Sequence, residues 1–262
     1  MPTSALHVAR TGLEAQDARM RVIANNLANV GTTGFKRDRA NFATLAYQDM
    51  RVAGQQSSNE TTYATGVNLG TGVSVQSTTR IATQGSLNPT GNSLDLALDG
   101  DGYFQVQLPG GQLGYTRAGN FTRSSEGQLV TTQGYQVMPA INIPEGTTSI
   151  SVSADGMVSA SVAGNAGAQQ LGQITLASFA NPGGLQATGD NFLLETGASG
   201  PVQIGIAGED GRGNIRQGML EGSNVNIVEE LVDMIECQRA YEINSKMISA
   251  VDEMLRNANQ TL

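Results

Sequence analysis

The residues able to do chemistry are few, and they are scattered along the chain. There is one histidine, His7, and one cysteine, Cys237. A nucleophile needs a base within hydrogen-bond reach, and the base needs a third group to orient it; a lone histidine in a helical segment has no second histidine to share that work. A single cysteine excludes an intramolecular disulfide and a Cys-based metal cluster. Cys237 falls on a periodic apolar stripe and reads as a small buried hydrophobe. Asp95, Asp99 and Asp101 have the flavour of a calcium loop, but the glutamate that closes such a loop at its twelfth position is replaced by Gln or Val. Gly100-Asp101-Gly102 leads into a strand pattern, so no helix N-terminus is available there for a phosphate. It reads as a tight turn feeding a core strand. No spacing of carboxylates singles out an acid–base pair. The expectation is a protein without catalysis, metal or cofactor.

The densest polar cluster is NNLANVGTTGFKR, residues 25–37. Asn25, Asn26 and Asn29 each offer a donor and an acceptor, able to tie a neighbouring helix or the following turn. Val30 ends the periodic run, and Gly31 or Gly34 can take the left-handed conformation that closes a helix. Lys36 and Arg37 are too few for a basic patch and read as a solvated helix exit.

Two long helices must carry this cluster and Cys237. Leu6, Leu13, Met20 and Leu27 recur every seven residues, with Ala9, Ile23 and Val30 on the +3 positions and Gln16 as the polar exception. This is a heptad seam, over residues 4–29, with Thr3 or Ser4 as N-cap. Ile227, Met234, Tyr241, Ile248 and Leu255 repeat the step of seven near the other end, with Leu231 on a +4 position and Cys237 and Val251 on +3. Asn226 followed three residues on by Glu229 has the layout of a capping box, opening a second helix over 227–257.

The middle alternates strand and turn signals. Residues 103–108 and 112–116 flank Pro109-Gly110-Gly111; 128–130 and 135–137 flank a turn with Gly134; 149–152 and 157–162 flank Asp155-Gly156. Each pair reads as a hairpin. Residues 173–176 and 191–195 add strands. Residues 55–62, QQSSNETT, have no period and read as an extended segment, ordered only if a neighbour holds it. The fold class is α+β: long N- and C-terminal helices forming a coiled-coil-like domain, with a central mainly-β domain. The boundaries are 1–43 for the first helix and turn, 44–70 for the extended segment, 71–220 for the β domain and 221–262 for the second helix.

Composition agrees with many turns, with 33 glycines, few aromatics (5%) and sparse charge (15%). A net charge of −8 argues against nucleic acid, which needs clustered Lys and Arg. No apolar run reaches the length of a membrane span. The helices lack the cationic face that membrane insertion needs. The N-terminus lacks an apolar signal-peptide region, so the chain is expected to stay in the cytoplasm or to leave by a route independent of Sec. Two heptad helices alone cannot bury every apolar position; further copies should close the seam.

Residues 24–37, ANNLANVGTTGFKR, closely resemble the N-terminal signature of the bacterial flagellar rod and hook proteins. Residues 221–231, EGSNVNIVEEL, and 238–246, QRAYEINSK, are similar to that family's C-terminal signature, and 96–104, LALDGDGYF, to its central one. Asn25, Asn26, Leu27, Ala28, Asn29, Gly34, Phe35, Asn224, Asn226, Glu229, Arg239 and Tyr241 carry the match. Length and the polar insert are most similar to the members that build the distal rod; a proximal rod or hook subunit is the alternative within the family. The resemblance implies a homopolymeric helical tube across the periplasm that transmits torque. Its implied partners are the proximal rod proteins, the hook protein, the P and L ring proteins and the flagellar type III export apparatus. A secreted surface-binding module, suggested by the Ser/Thr/Gly-rich middle, leaves the heptads unexplained. Peptidoglycan cleavage is the enzymatic alternative, with no residue set to support it.

Overall fold

The computed structural model describes residues 2–56, 62–163 and 167–260. They form two compact units, one of residues 1–27, 38–79 and 227–262, the other of residues 28–37 and 80–226. The chain is α+β. Among the described residues, no helix is long and apolar enough to cross a membrane.

In the first unit α1 spans Pro2–Ala28 and α2 spans Ile227–Gln260. The first helix begins ahead of the expected Thr3 or Ser4 cap, at a proline, whose fixed φ and missing N–H suit a first helical position. Glu229 and Glu230 occupy the first turn of α2, where negative charge complements the helix dipole. Gly12 lies against Asn244, Gln16 against Cys237, Arg19 against Asp233 and Asn26 against Glu230. Numbers rise along α1 as they fall along α2, so the helices run antiparallel. A Cβ at Gly12 would sit 3.1 Å from Asn244 Nδ2; glycine here lets the backbones approach.

Two short antiparallel ladders complete this unit. Asp38–Thr44 pairs with Val73–Arg80, and Tyr47–Arg51 with Val67–Gly70. The segment expected to be extended therefore has a hairpin at its flanks, with Gln48 opposite Leu69. Tyr47 and Val67 are strand formers. Tyr63 N–H donates to Gln55 O at 3.0 Å and Gly54 N–H to Tyr63 O at 2.8 Å. Residues 57–61 of that run lie outside the described residues.

The second unit holds the three expected hairpins. Tyr103–Gln107 pairs with Leu113–Thr116, Leu129–Thr131 with Gln136–Met138, and Thr147–Val152 with Met157–Val162. The first two belong to a nine-stranded sheet, and the third to a three-stranded one completed by Gln169–Gln173. Alternation along Tyr103–Gln107 sends neighbouring side chains to opposite faces. Phe104 enters one apolar cluster with Leu98, Phe121 and Ile174, while Tyr103 enters another with Tyr115, Phe179 and Leu193. Phe104 meets Phe121 edge-on at 5.1 Å and Tyr115 meets Phe179 at 4.8 Å, an arrangement ring quadrupoles favour. Two short ladders bring the C-terminal strands back: Asn214–Gln217 on Leu96–Asp99, and Met219–Glu221 on Leu87–Pro89.

Candidate assembly face and a buried ionic node

The face that α1 turns to α2 runs through Ala9, Gly12, Gln16, Arg19, Ile23 and Asn26, stepping by three and four residues. It shares the 9/16/23 positions with the predicted seam, but its other rows are small or polar. Opposite it, Glu230 and Cys237 are buried. Arg19 Nη2 is 2.9 Å from Asp233 Oδ1 and 4.0 Å from Glu236 Oε2. Polar residues thus face each other within the pair beside a few buried apolar ones, Ala9, Ile23 and Cys237, while many larger apolar side chains of α2 stay exposed.

The seam positions sit as follows. Ile23 is buried; Leu6, Leu13, Met20, Leu27, Met234, Ile248 and Leu255 are half-buried; Ile227, Leu231 and Tyr241 are exposed. Sequence reading passed over the apolar residues exposed beside them. Val228, Val232 and Ile235, spaced to share one helix face with the seam residue Leu231, are 51–69% exposed, and Ile243, Met247 and Met254 follow further along α2. A contiguous exposed apolar face of this kind marks an interaction surface.

Asn26 shows what the asparagine cluster does. Its Nδ2 donates to Asp38 O at 2.9 Å, its Oδ1 accepts from Asp38 N–H at 2.9 Å, and Nδ2 lies 3.3 Å from both Glu230 carboxylate oxygens. One buried amide clamps the exit strand and reaches α2. Asn26→Ala is expected to destabilise this unit by about 1–3 kcal/mol, the penalty for stranding buried backbone and carboxylate groups. A lowered denaturant midpoint in the tertiary signal would check it. Asn25, Ala28, Asn226, Glu229 and Arg239 are exposed, and Asn29 is half-buried.

Cys237 is fully buried, with Sγ 3.1 Å from Gln16 O and 3.2 Å from Gln16 Oε1. Burial pushes its thiol above the ordinary cysteine value, only partly offset by the Arg19 charge. The folded chain is expected to resist alkylation at pH 8 and the denatured chain to react at the rate of a free thiol; equal rates would place the sulfur at the surface.

The second unit contains an ionic node. Glu221 is completely buried; its Oε1 is 2.5 Å from Lys36 Nζ and accepts Gly85 N–H at 3.0 Å, and Oε2 is 3.4 Å from Arg117 Nη1. Lys36 also donates to Thr83 O at 2.7 Å. Its side chain is 3% exposed, which corrects the expected solvated helix exit: residues 33–37 fold under the β unit, so Lys36 cannot reach water. Burial lowers its pKa, and the bond to Glu221 opposes that shift.

Gly34 and Asn224 hold the node's backbone. Gly34 has φ 67°, and a Cβ there would come 2.7 Å from the Arg117 carbonyl carbon; only glycine combines that conformation with that approach. Its N–H donates to Glu221 O at 2.7 Å. Asn224 Oδ1 accepts Arg37 N–H at 2.7 Å, and Nδ2 donates to Ile81 O and Thr83 O at 2.9 and 3.0 Å. Phe35 is buried beside them in sequence. The N- and C-terminal signatures therefore meet here as structural clamps. Arg117 carried no recognisable signal in the sequence.

The other side chains able to do chemistry, His7, Asp95 and Asp99, take no part in this node. His7 is exposed. Asp95 accepts from Thr90 Oγ1 at 2.6 Å and Asn92 Nδ2 at 3.0 Å, and Asp99 pairs with Arg216 at 2.7 Å. No group of three or more metal-ligating side chains occurs among the described residues.

Polar side chains that clamp backbone, together with helices that expose apolar faces, define a structural protein whose work is contact. Three family descriptions match along the chain: "Flagella basal body rod protein" over residues 6–36, "Flagellar hook protein FlgE/F/G D1 domain" over 97–160 and "Flagellar basal body rod FlgEFG protein C-terminal" over 216–261. The chain belongs to this flagellar rod and hook family. It is 51% identical over 255 residues to the flagellar basal-body rod protein FlgG of Buchnera aphidicola subsp. Acyrthosiphon pisum, covering 97% of this chain and 98% of that protein. It is 47% identical to FlgG of Caulobacter vibrioides, over 98% of both chains. The basal-body rod protein FlgF of the same Caulobacter is 34% identical, over 99% of this chain and 98% of its own.

Proposed function

We propose that this chain is a structural subunit of the distal rod of the bacterial flagellar basal body. It self-assembles into a hollow helical shaft that transmits torque from motor to hook and is required for swimming. The observation that carries the reading is the apolar face left exposed along α2, joined to the higher identity to FlgG than to FlgF within one organism. In the assembled tube the helices of neighbouring copies pack as a coiled-coil layer through Leu6, Leu13, Met20, Ile23 and Leu27 of α1 and Ile227, Leu231, Met234, Tyr241, Ile248 and Leu255 of α2. Many shallow contacts repeated along such a tube sum to a stiff shaft. The partners are further copies of the chain, the proximal rod proteins, the hook protein and the P and L ring proteins. The shaft runs from periplasm to outer membrane, reached through the flagellar type III export apparatus.

Electron microscopy of hook–basal bodies from cells with an in-frame deletion tests this. A proximal stub without distal rod, rings or hook is the expected result. A complete rod lacking only the hook makes the chain a hook-type subunit, and intact basal bodies overturn the assignment.

A further inference from the structure

We propose that residues 33–37 act as a closing strap of the second unit. In this device, seating Lys36 beside Glu221 and pairing the strands Leu87–Pro89 and Met219–Glu221 are a single event. The strap precedes every strand of the unit in sequence, and Lys36 lies 185 positions from its carboxylate partner. It is held from three separate segments. Gly34 N–H reaches Glu221 O at 2.7 Å; Ile81 N–H donates to Arg37 O at 2.9 Å; Asn191 Nδ2 donates to Thr33 O at 2.8 Å.

The coupling follows from where Glu221 sits. It is the last residue of Met219–Glu221, opposite Leu87, and its carboxylate has no exposed surface. A ladder of three residues per strand has little stability of its own. With the strap out, the carboxylate keeps Arg117 and Gly85 N–H but loses the closer cation, and Thr83 O loses a donor. Burial of a carboxylate is tolerated only while its partners stay in place. The easiest relief is to separate the short ladder and hydrate Glu221. Asn224 binds the strap at Arg37 N–H and the 81–83 segment at two carbonyls, so it transmits the same coupling without any charge. By thermodynamic linkage, loosening either end must loosen the other by the same factor.

Amide exchange by mass spectrometry on the full-length chain tests this with two variants, Lys36→Met and Asn224→Ala. Each is expected to speed exchange about tenfold or more in both 33–37 and 219–222, as local opening of one cooperative piece does. The three-stranded sheet of residues 147–173 keeps its protection. If each variant loosens only its own segment, the strap and the ladder are independent and the proposal fails. A uniform rise that includes 147–173 also overturns it, because the node then supports the whole unit. Should Lys36→Met not fold, Asn224→Ala, which leaves every charge in place, decides by the same pattern.

Discussion

Glu221→Ala destabilises the second unit by about 3–5 kcal/mol, the usual loss when one partner of a buried ion pair is removed. The substitution leaves Lys36 and Arg117, both nearly without solvent contact, facing each other across the vacated space. It also strands Gly85 N–H, which cannot shift to another partner easily: a Cβ at residue 85 would lie within 2.0 Å of Gly222 O, so the two backbones are already in close contact. Glu221→Gln keeps the shape and one acceptor but removes the charge, and should fall between wild type and alanine. Chemical denaturation followed through the tyrosines of the sheet measures both. A Glu221→Ala chain as stable as wild type would mean that the two cations reach water without the carboxylate, and would refute the node's role. The loss is expected to shrink at high pH: the Lys36 pKa is depressed in the folded chain, so Lys36 neutralises there before its unfolded counterpart and relieves the repulsion with Arg117.

The second large effect belongs to the helices. Leu27→Asp and Met234→Asp are each expected to abolish assembly, and with it motility, while leaving the sheet of the second unit folded. Both side chains are half-buried in the isolated chain, so an aspartate is tolerated there until a neighbouring copy covers it. Covering an unpaired carboxylate then requires desolvation worth several contacts of dispersion and hydrophobic burial. A helical polymer repeats the defect at every subunit, which is why one residue suffices. Basal bodies of the variant strains, viewed by electron microscopy, should lack distal rods. Unchanged amide protection in Leu96–Asp99 and Tyr103–Gln107 of the purified variants separates failed assembly from failed folding. Normal rods in both strains would show that the contact runs elsewhere, with Val228, Val232 and Ile235 as the next positions to change.

The hairpins of the β unit were legible because their signals are local. Pro109-Gly110-Gly111 and Asp155-Gly156 mark turns, and the alternating runs beside them pair across those turns, with Gln107 opposite Leu113 and Val152 opposite Val158. Both helices followed from periodicity in the same way, and the signatures at residues 24–37 and 221–246 carried the family. By itself, then, the sequence determined the two helices, the hairpins of the β unit with their turns, and the family.

Only tertiary structure decided which face of each helix looks inward and what the signatures hold. Heptad spacing marks two adjacent rows on α1, and nothing local chooses between them. The choice comes from Asn26 meeting Glu230 and Arg19 meeting Asp233, polar partners more than two hundred residues away, whose desolvation is tolerated only in that rotation. Lys36 reads as an exposed lysine because its burial depends on Glu221 and Thr83, and Arg117 has no readable pattern until the fold places it at the same carboxylate. Periodicity records how a segment could lie on a surface; which charge becomes buried depends on a distant partner that compensates it, and that pairing exists only in the folded chain.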